Sequence, residues 1–182
     1  MTPAPTLKTA RLTLRGPVKD DLAPMIRFLT GSARMAALGG QITEAEAWRG
    51  FIAGIGHWQW HGYGFFTVTD SATGTPLGRA GILNHLGWPQ PELAWHLFDG
   101  SEGRGIAYEA AIAVRHWYGT THGSAPLISL IAPDNTRSAA LAARLGAAPG
   151  ATTDATGDPA VIHTHLPHDA PLAQAQYAEV RA

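Results

Sequence analysis

A glycine-rich stretch between a predicted strand and a predicted helix constrains this chain more than any other feature. Residues 92–98 have the pattern of a strand, and the seven residues after it include Gly100, Gly103 and Gly105. From Ile106 onward apolar side chains recur at helical spacing, which predicts a helix. Glycine leaves the backbone N–H groups of such a turn unhindered, so a ligand can approach the chain closely there.

This stretch has two interpretations. The first-turn N–H groups of a helix lack internal partners and the helix dipole favours an anion, so Gly103 and Gly105 suit a phosphate or pyrophosphate. A tight turn without a ligand is the alternative, and a lone Gly-x-Gly favours that alternative. A Walker loop is excluded because the only lysines are Lys8 and Lys19. A dinucleotide fingerprint fits poorly, because Tyr108 stands where a small residue is needed.

The other elements predict one domain of the α+β (mixed α/β) class, because paired strands precede a strand-helix-strand-helix stretch. Further strands are predicted at residues 11–15, 65–70, 76–83, 127–131 and 160–166. Helices are predicted to begin at Asp20 or Asp21, at a capping box starting with Thr43, and at Asn135. The Ala-rich segment from residue 169 is expected to be a loosely docked helix or disordered.

The second predicted helix carries apolar residues at the spacing of one amphipathic face. These residues are Trp48, Phe51, Ile52 and Ile55. Such a pattern predicts that this side of the helix faces the core.

Composition excludes several classes of function. The chain of 182 residues has no cysteine, so a disulfide scaffold, a thiolate zinc site and a cysteine nucleophile are all excluded. Its formal net charge of -1 offers no basic excess for nucleic acid or an anionic membrane. No signal-type apolar segment is present, so a cytoplasmic protein is expected. His163 and His165 share one strand face near His168, but no carboxylate accompanies them, and no metal site is expected.

The glycine stretch and its strand resemble a known family in their order and spacing. Glu92-Leu93-Ala94-Trp95-His96-Leu97, followed by Glu102-Gly103-Arg104-Gly105-Ile106-Ala107-Tyr108-Glu109-Ala110, resembles the GNAT superfamily of N-acetyltransferases. More narrowly, the chain looks like the branch of ribosomal-protein N-terminal (alanine/serine) acetyltransferases. Further matches are Arg11-Leu12-Thr13-Leu14-Arg15, residues 43–48, Gly78-Arg79-Ala80-Gly81 and Pro133-Asp134-Asn135-Thr136-Arg137-Ser138. The resemblance implies a GNAT-like domain over residues 7–168 and a tail over residues 169–182.

The resemblance implies a bent, mostly antiparallel central sheet flanked by helices, with a V-shaped split between the central strands. Acetyl-CoA is the implied co-substrate, entering that split, and no metal is implied. The backbone at Gly103, Arg104, Gly105 and Ala107 would hold its pyrophosphate. The strand edge at His96, Leu97 and Phe98 would pair with the pantetheine amides, as an added strand pairs with a sheet edge. Asn135 matches a family residue that contacts the pantetheine or the thioester end of acetyl-CoA. Arg144 matches a basic position near the nucleotide end of CoA.

The implied reaction is direct attack by a primary amine, from a protein N-terminus or a small molecule, on acetyl-CoA in a ternary complex. Glu92 is the candidate general base, with a salt-bridged edge-strand glutamate as the alternative. A backbone N–H near Leu97 would polarise the thioester carbonyl. The tyrosine that many members use to protonate the thiolate is replaced by Ala142. Ser138 is either that proton donor or only a helix-cap partner of Asn135.

Two departures keep other interpretations open. Glu102 stands where the family has Gln, Arg or Trp, and a carboxylate beside a diphosphate is unfavourable unless it faces solvent or pairs with Arg104. Glu102 and the missing tyrosine together leave a non-catalytic acyl-CoA-binding domain as the alternative function.

The cluster Trp58, Trp60, His61 and Tyr63 either lines the acceptor pocket or packs beneath the sheet, and packing is favoured. A homodimer fits the family.

Overall fold

A computed structural model describes residues 4–181, in which eight strands form one sheet with the order β1-β2-β3-β4-β5-β6-β8-β7. The strands are β1 (Leu7–Lys8), β2 (Leu12–Arg15), β3 (Phe65–Asp70), β4 (Pro76–Leu83), β5 (Glu92–Leu97), β6 (Ile128–Ile131), β7 (Ala148–Thr153) and β8 (Ala160–Thr164). The α-helices are α1 (Leu22–Gly31), α2 (Glu44–His61), α3 (Ile106–His122), α4 (Thr136–Arg144) and α5 (Pro171–Arg181). Short 3-10 helices cover Lys19–Asp21 and Ala33–Leu38.

The sheet is antiparallel except where β5 meets β6. Those two strands are parallel and share a single register pair, Glu92 with Ile128, at the start of each strand. Beyond that pair the strands diverge, so the sheet opens toward Leu97 and Ile131. The structure therefore confirms the predicted mixed single-domain fold, including the split between its central strands.

The two faces of the central strands have different roles. Residues opposite one another in an antiparallel pair lie on the same face, and successive residues alternate between faces. One face is buried against α3 and carries Phe66, Val68, Ala80, Ile82 and Leu93. The other face looks toward α1 and α2 and carries Phe65, Thr67, Arg79, Leu83, Glu92 and His96. The polar and ionisable residues of these strands are therefore concentrated on the α1–α2 side.

Helix α2 begins as predicted but is rotated relative to the predicted apolar face. The Thr43 hydroxyl accepts from the Glu46 N–H at 3.2 Å, and the Glu46 carboxylate accepts from the Thr43 N–H at 2.8 Å, which confirms the capping box. Of the four apolar residues expected to be buried, only Phe51 is; Trp48, Ile52 and Ile55 are exposed. The buried residues of α2 are Ala47, Phe51, His57 and Trp58. These residues also recur at helical spacing. Ala47 and Phe51 pack with α1, and Trp58 packs with the sheet.

The segment from residue 169 forms a helix that packs on α3. Ala173, Gln176 and Val180 of α5 are buried. Arg115 of α3, itself buried, donates to the Gln176 side-chain oxygen at 2.5 Å and to the Leu145 carbonyl at 2.8 Å. These bonds tie α5 to the interior. The pattern of residues 148–153 did not predict β7, because Pro149 and Gly150 interrupt it and five of its six residues are exposed. No helix between residues 4 and 181 combines the length and apolarity needed to span a bilayer.

Replacing Gln176 with Ala is expected to lower the free energy of unfolding by about 2–3 kcal/mol, because the buried Arg115 guanidinium loses a hydrogen-bond acceptor. Urea unfolding followed by circular dichroism measures the change. Glu179→Ala on the exposed side of the same helix is the control, with an expected change below about 0.5 kcal/mol. Equal losses in both variants would show that the Arg115 contact does not stabilise the fold.

Candidate active site

The site is organised at the fork where β5 and β6 separate. The Ile128 N–H donates to the Pro91 carbonyl at 3.1 Å, as expected for a parallel pair. One step further along β6, the Leu130 N–H donates instead to the Glu92 carboxylate at 2.8 Å. A side chain thus takes the place of the next backbone acceptor, and the strands part around it.

Glu92 is buried at this fork, with 8% of its surface exposed. Burial raises the pKa of Glu92 to about 7, although the hydrogen bond from Leu130 opposes that shift. Among residues 4–181 no cation pairs with it, so the salt-bridge alternative is not what the structure shows. A carboxyl group with this pKa can exchange a proton near neutral pH.

A cavity of about 340 Å³ occupies the split beside Glu92. Its strand side is formed by Glu92, Ala94, Trp95, His96 and Leu130. Residues from the loops and helices close it: Ala37, Gly39, Trp88, Asn135, Ser138 and Pro159. Four of the residues singled out from the sequence (Glu92, His96, Asn135 and Ser138) therefore line one cavity.

The backbone of β5 alternates between its two neighbours. The Phe98 N–H donates to the Leu77 carbonyl at 2.9 Å, which directs the backbone groups of His96 and Phe98 toward β4. The backbone groups of Trp95 and Leu97 face the split. Of the three residues predicted to pair with pantetheine, only Leu97 has its amide on the split side, and it shares that side with Trp95, which the sequence had not singled out. This alternation identifies Trp95 and Leu97 as the residues whose backbone groups face the split. Applying it requires the register of the strand, which the sequence alone does not determine.

The glycine stretch forms the predicted bare turn before α3. Gly103 and Gly105 adopt the left-handed conformation, with φ of +72° and +75°, and Gly105 is the N-cap of α3. A side chain at Gly103 would meet nothing within 4 Å, which leaves open space over the turn. The first N–H groups of α3, including that of Ala107, lack intrahelical acceptors at this end.

A buried carboxylate holds this turn in place. The Arg11 guanidinium donates to the Arg104 carbonyl at 2.9 Å and pairs with Glu109 at 2.6 Å. Glu109, in the first turn of α3, also accepts from the Thr9 hydroxyl and is 4% exposed. Arg11 and Glu109 matched the family pattern without an assigned role, and their 98-residue separation hid their contact.

Glu102 pairs with Arg34 rather than with Arg104. Their charged groups are 3.1 Å apart, and the same Arg34 nitrogen donates to the Leu97 carbonyl at 2.7 Å. Arg34 lies in the 3-10 segment that crosses the split, a segment that the sequence pattern did not reveal. The acidic departure from the family loop therefore has a cationic partner from another element, which also lies 3.8 Å from the Asp99 carboxylate.

The start of α4 is capped as predicted. The Asn135 side-chain oxygen accepts from the Ser138 N–H at 3.1 Å, and its amide group donates to the Ala37 carbonyl at 3.2 Å. The cap uses the Ser138 backbone, so it does not consume the hydroxyl. At the other end of α4, the Arg144 guanidinium stacks 3.8 Å from the ring centre of Tyr108, in the first turn of α3. Arg144 therefore lies beside the helix that the glycine turn opens.

A second cavity of about 580 Å³ lies between α1, α2 and the same sheet face. Phe65, Leu83 and His96 line both cavities, so the two adjoin. The predicted aromatic cluster is divided between two environments. Trp60 and His61 line the second cavity, whereas Trp58 and Tyr63 are buried in the core.

Within residues 4–181 no group of three or more His, Asp and Glu side chains is arranged to hold a metal ion. His163 and His165 are both buried in the sheet. The His165 Nε2 forms a hydrogen bond with the Ser129 hydroxyl at 2.8 Å. Burial lowers the pKa of His165 to about 3, so the ring is neutral at physiological pH.

The comparisons with known proteins agree with this geometry. The family model described as "Acetyltransferase (GNAT) domain" matches residues 11–148, and the chain belongs to this family of acetyltransferases, which use acetyl-CoA. An acetyltransferase from Agrobacterium tumefaciens str. C58 is 32% identical, with TM-score 0.83 over 91% of this chain and 96% of that chain. A putative GnaT-family acetyltransferase from Bordetella pertussis is 27% identical, with TM-score 0.75 over 88% of this chain and 99% of that chain.

A putative ribosomal-protein-serine acetyltransferase from Vibrio cholerae shares the fold at 20% identity, with TM-score 0.72 over 92% of this chain and 100% of that chain. The comparison with curated protein sequences returned no match. The family resemblance seen in the sequence is confirmed, and the protein is an enzyme of the acetyltransferase class.

Glu92 is expected to make stability fall as pH rises. Its folded pKa of about 7 exceeds the ordinary value of 4.5, so the folded state binds this proton more tightly, and the contribution of Glu92 to stability falls by about 2.5 kcal/mol between pH 5 and 8. Glu92→Gln should remove this loss, as measured by urea unfolding at both pH values. The exposed Glu44→Gln should keep the parent's pH dependence. An unchanged dependence in Glu92→Gln would contradict the raised pKa.

Proposed function

We propose that the enzyme transfers the acetyl group of acetyl-CoA directly to a primary amine while both substrates are bound. The observation that carries this proposal is the buried, unpaired Glu92 carboxylate in a cavity that adjoins a second cavity. The split cavity suits the thioester, and the α1–α2 cavity suits the acceptor. The amine then enters the split past the residues that line both cavities.

The donor site fits acetyl-CoA at its anionic end. The backbone of Gly103, Arg104, Gly105 and Ala107 holds the pyrophosphate at the N-terminus of α3. Arg144, stacked on Tyr108 of that helix, supplies positive charge near the nucleotide. The pairing of Glu102 with Arg34 reduces the repulsion that the sequence suggested. Of the two departures that favoured a non-catalytic acyl-CoA-binding domain, this pairing accounts for Glu102, and the absence of the tyrosine at Ala142 remains.

Pantetheine pairing is assigned to the split-facing edge of β5. Trp95 and Leu97 direct their backbone groups there, and the Leu97 carbonyl is already engaged by Arg34. The Trp95 amide and carbonyl and the Leu97 N–H therefore remain for the substrate. Asn135 lies across the same cavity, where it positions the start of α4 against the pantetheine.

The chemistry uses groups that line the split. Glu92 takes a proton from the incoming ammonium, directly or through one water, and the freed amine attacks the thioester carbonyl carbon. The Leu97 N–H donates to the carbonyl oxygen as it gains negative charge. The carbon–sulfur bond then breaks. The Ser138 hydroxyl gives its proton to the departing thiolate and takes up the second proton of the attacking nitrogen, so that the neutral amide, the free thiol of CoA and protonated Glu92 remain.

The proposed base is tested by thiol release from acetyl-CoA with a panel of amines, measured across pH 5 to 9. The pH profile of kcat/KM should rise through an inflection near pH 7, where Glu92 loses its proton. Glu92→Gln should lower the rate by about 10²- to 10⁴-fold and abolish that inflection. Acetyl-CoA should still raise the Tm of the variant, which shows that it folds and binds the donor. An active Glu92→Gln enzyme with an unchanged pH profile would overturn the assignment.

A further inference from the structure

The α1–α2 cavity contains a cation without a counter-ion. The Arg79 side chain projects from β4 into this cavity, and among residues 4–181 no carboxylate pairs with it. Its Nε donates to the His96 Nδ1 at 2.9 Å, and its Nη1 lies 3.4 Å from the Met25 sulfur. Both partners are neutral, because a histidine nitrogen that accepts a hydrogen bond carries no proton. Within the described part of the chain, the guanidinium therefore has hydrogen-bond acceptors but no negatively charged partner.

Arg79 remains charged in this setting. Burial lowers the pKa of Arg79 to about 10, which leaves it protonated at physiological pH. Its Cζ lies 4.3 Å from the centre of the Phe65 ring, a cation–π contact that stabilises the charge in part. The Arg79 Nη2 has no hydrogen-bond partner in the described part of the chain. That nitrogen is available to a ligand.

The other ionisable groups around this cavity do not balance the charge of Arg79. Asp21 is paired with Arg15 at 2.7 Å and also accepts from the Thr67 hydroxyl and the Val18 N–H. His57 donates from Nδ1 to the Tyr63 carbonyl and accepts at Nε2 from the Asn84 N–H, so it is neutral. Burial lowers the pKa values of His61, His85 and His96, which keeps these rings neutral as well. Arg79 is thus the one charged group lining this cavity that has no oppositely charged partner among residues 4–181.

An unpaired cation of this kind is costly, and proteins normally pair buried charges. Arginine's planar fork matches a carboxylate through two parallel hydrogen bonds, which makes that group the natural counter-ion. A cationic acceptor such as a polyamine would meet repulsion in this cavity. The charge therefore favours an acceptor that brings a negative group.

The position of Arg79 limits where that negative group lies on the acceptor. The guanidinium contacts Phe65 and His96, and both residues line the split cavity as well. A carboxylate held there is therefore close to an amine that enters the split, as in an α-amino acid. The rest of the cavity is mainly apolar, with Met25, Phe51, Leu83, Leu86 and Phe98 among its lining residues.

We propose that the acceptor is an α-amino acid with an apolar side chain, whose carboxylate is bound by Arg79. This inference rests on the proposed acetyl transfer to an amine and specifies its substrate class. Arg79 is then a specificity-determining residue that binds the substrate carboxylate, while Glu92 acts on the amine. The apolar side chain packs toward Phe51 and Phe98, away from the split.

The test compares free apolar L-amino acids (leucine, methionine and phenylalanine) with their carboxamides as acceptors, by thiol release from acetyl-CoA. Each carboxamide keeps the amine and side chain but lacks the charge, and it also resembles a peptide N-terminus. The parent should prefer at least one free acid by tenfold or more in kcat/KM. Arg79→Met should remove at least tenfold of kcat/KM for that acid but leave its carboxamide within about threefold. Arg79→Lys, which keeps the charge, should restore part of the loss.

Three results would overturn this inference. If the enzyme used the carboxamides as well as or better than every free acid, the proposed binding of an acceptor carboxylate by Arg79 would be rejected, while acetyl transfer to an amine would stand. Equal losses for acid and carboxamide in Arg79→Met would show a structural role, and an unchanged melting temperature in that variant separates this result from unfolding. No thiol release from either acceptor class would reject the inference alone if other primary amines of the panel still supported thiol release, and would reject the proposed transfer as well only if none of them did.

Discussion

The hydrogen bond between the buried Glu92 carboxylate and the Leu130 N–H is the interaction on which the rest of the site depends. It stands where β6 would otherwise continue its ladder with β5, so the two strands separate immediately after their single register pair. The separation exposes the backbone edge at Trp95 and Leu97 and creates the cavity beside them. The same burial raises the pKa of Glu92 to about 7. One side chain thus shapes the split and supplies its candidate base.

Three arginines outside the glycine turn complete the electrostatics of the site. Arg11 links the turn to the buried Glu109, and Arg34 pairs with Glu102 while it occupies the Leu97 carbonyl. These two are paired within the protein and therefore hold structure. Arg79 differs because its contacts are neutral, which leaves its charge for a ligand. The contrast between paired and unpaired cations distinguishes the scaffold from the proposed acceptor site.

Local signals predicted the part of the site that depends on neighbouring residues. The strand at Glu92, the glycine-rich turn at Gly103 and the Asn135 cap each follow from a few consecutive side chains, and the structure has all three. Contacts between distant residues were not predictable in this way, as with the Arg34–Leu97 bond across 63 residues. The buried side of α2 was predicted wrongly at Trp48, because hydrophobicity alone does not show which side of a helix meets its neighbours.

Backbone amide hydrogen exchange with and without saturating acetyl-CoA tests most directly whether the split between β5 and β6 is the donor site. Bound acetyl-CoA should slow exchange at the amides of Trp95 and Leu97, which face the split, and at the first turn of α3 after Gly105. Exchange along the cavity-facing side of α2, at residues 50–57, should change little, because that side belongs to the acceptor cavity. Protection on α2 with none on β5 or the glycine turn would contradict the assignment of the split to acetyl-CoA.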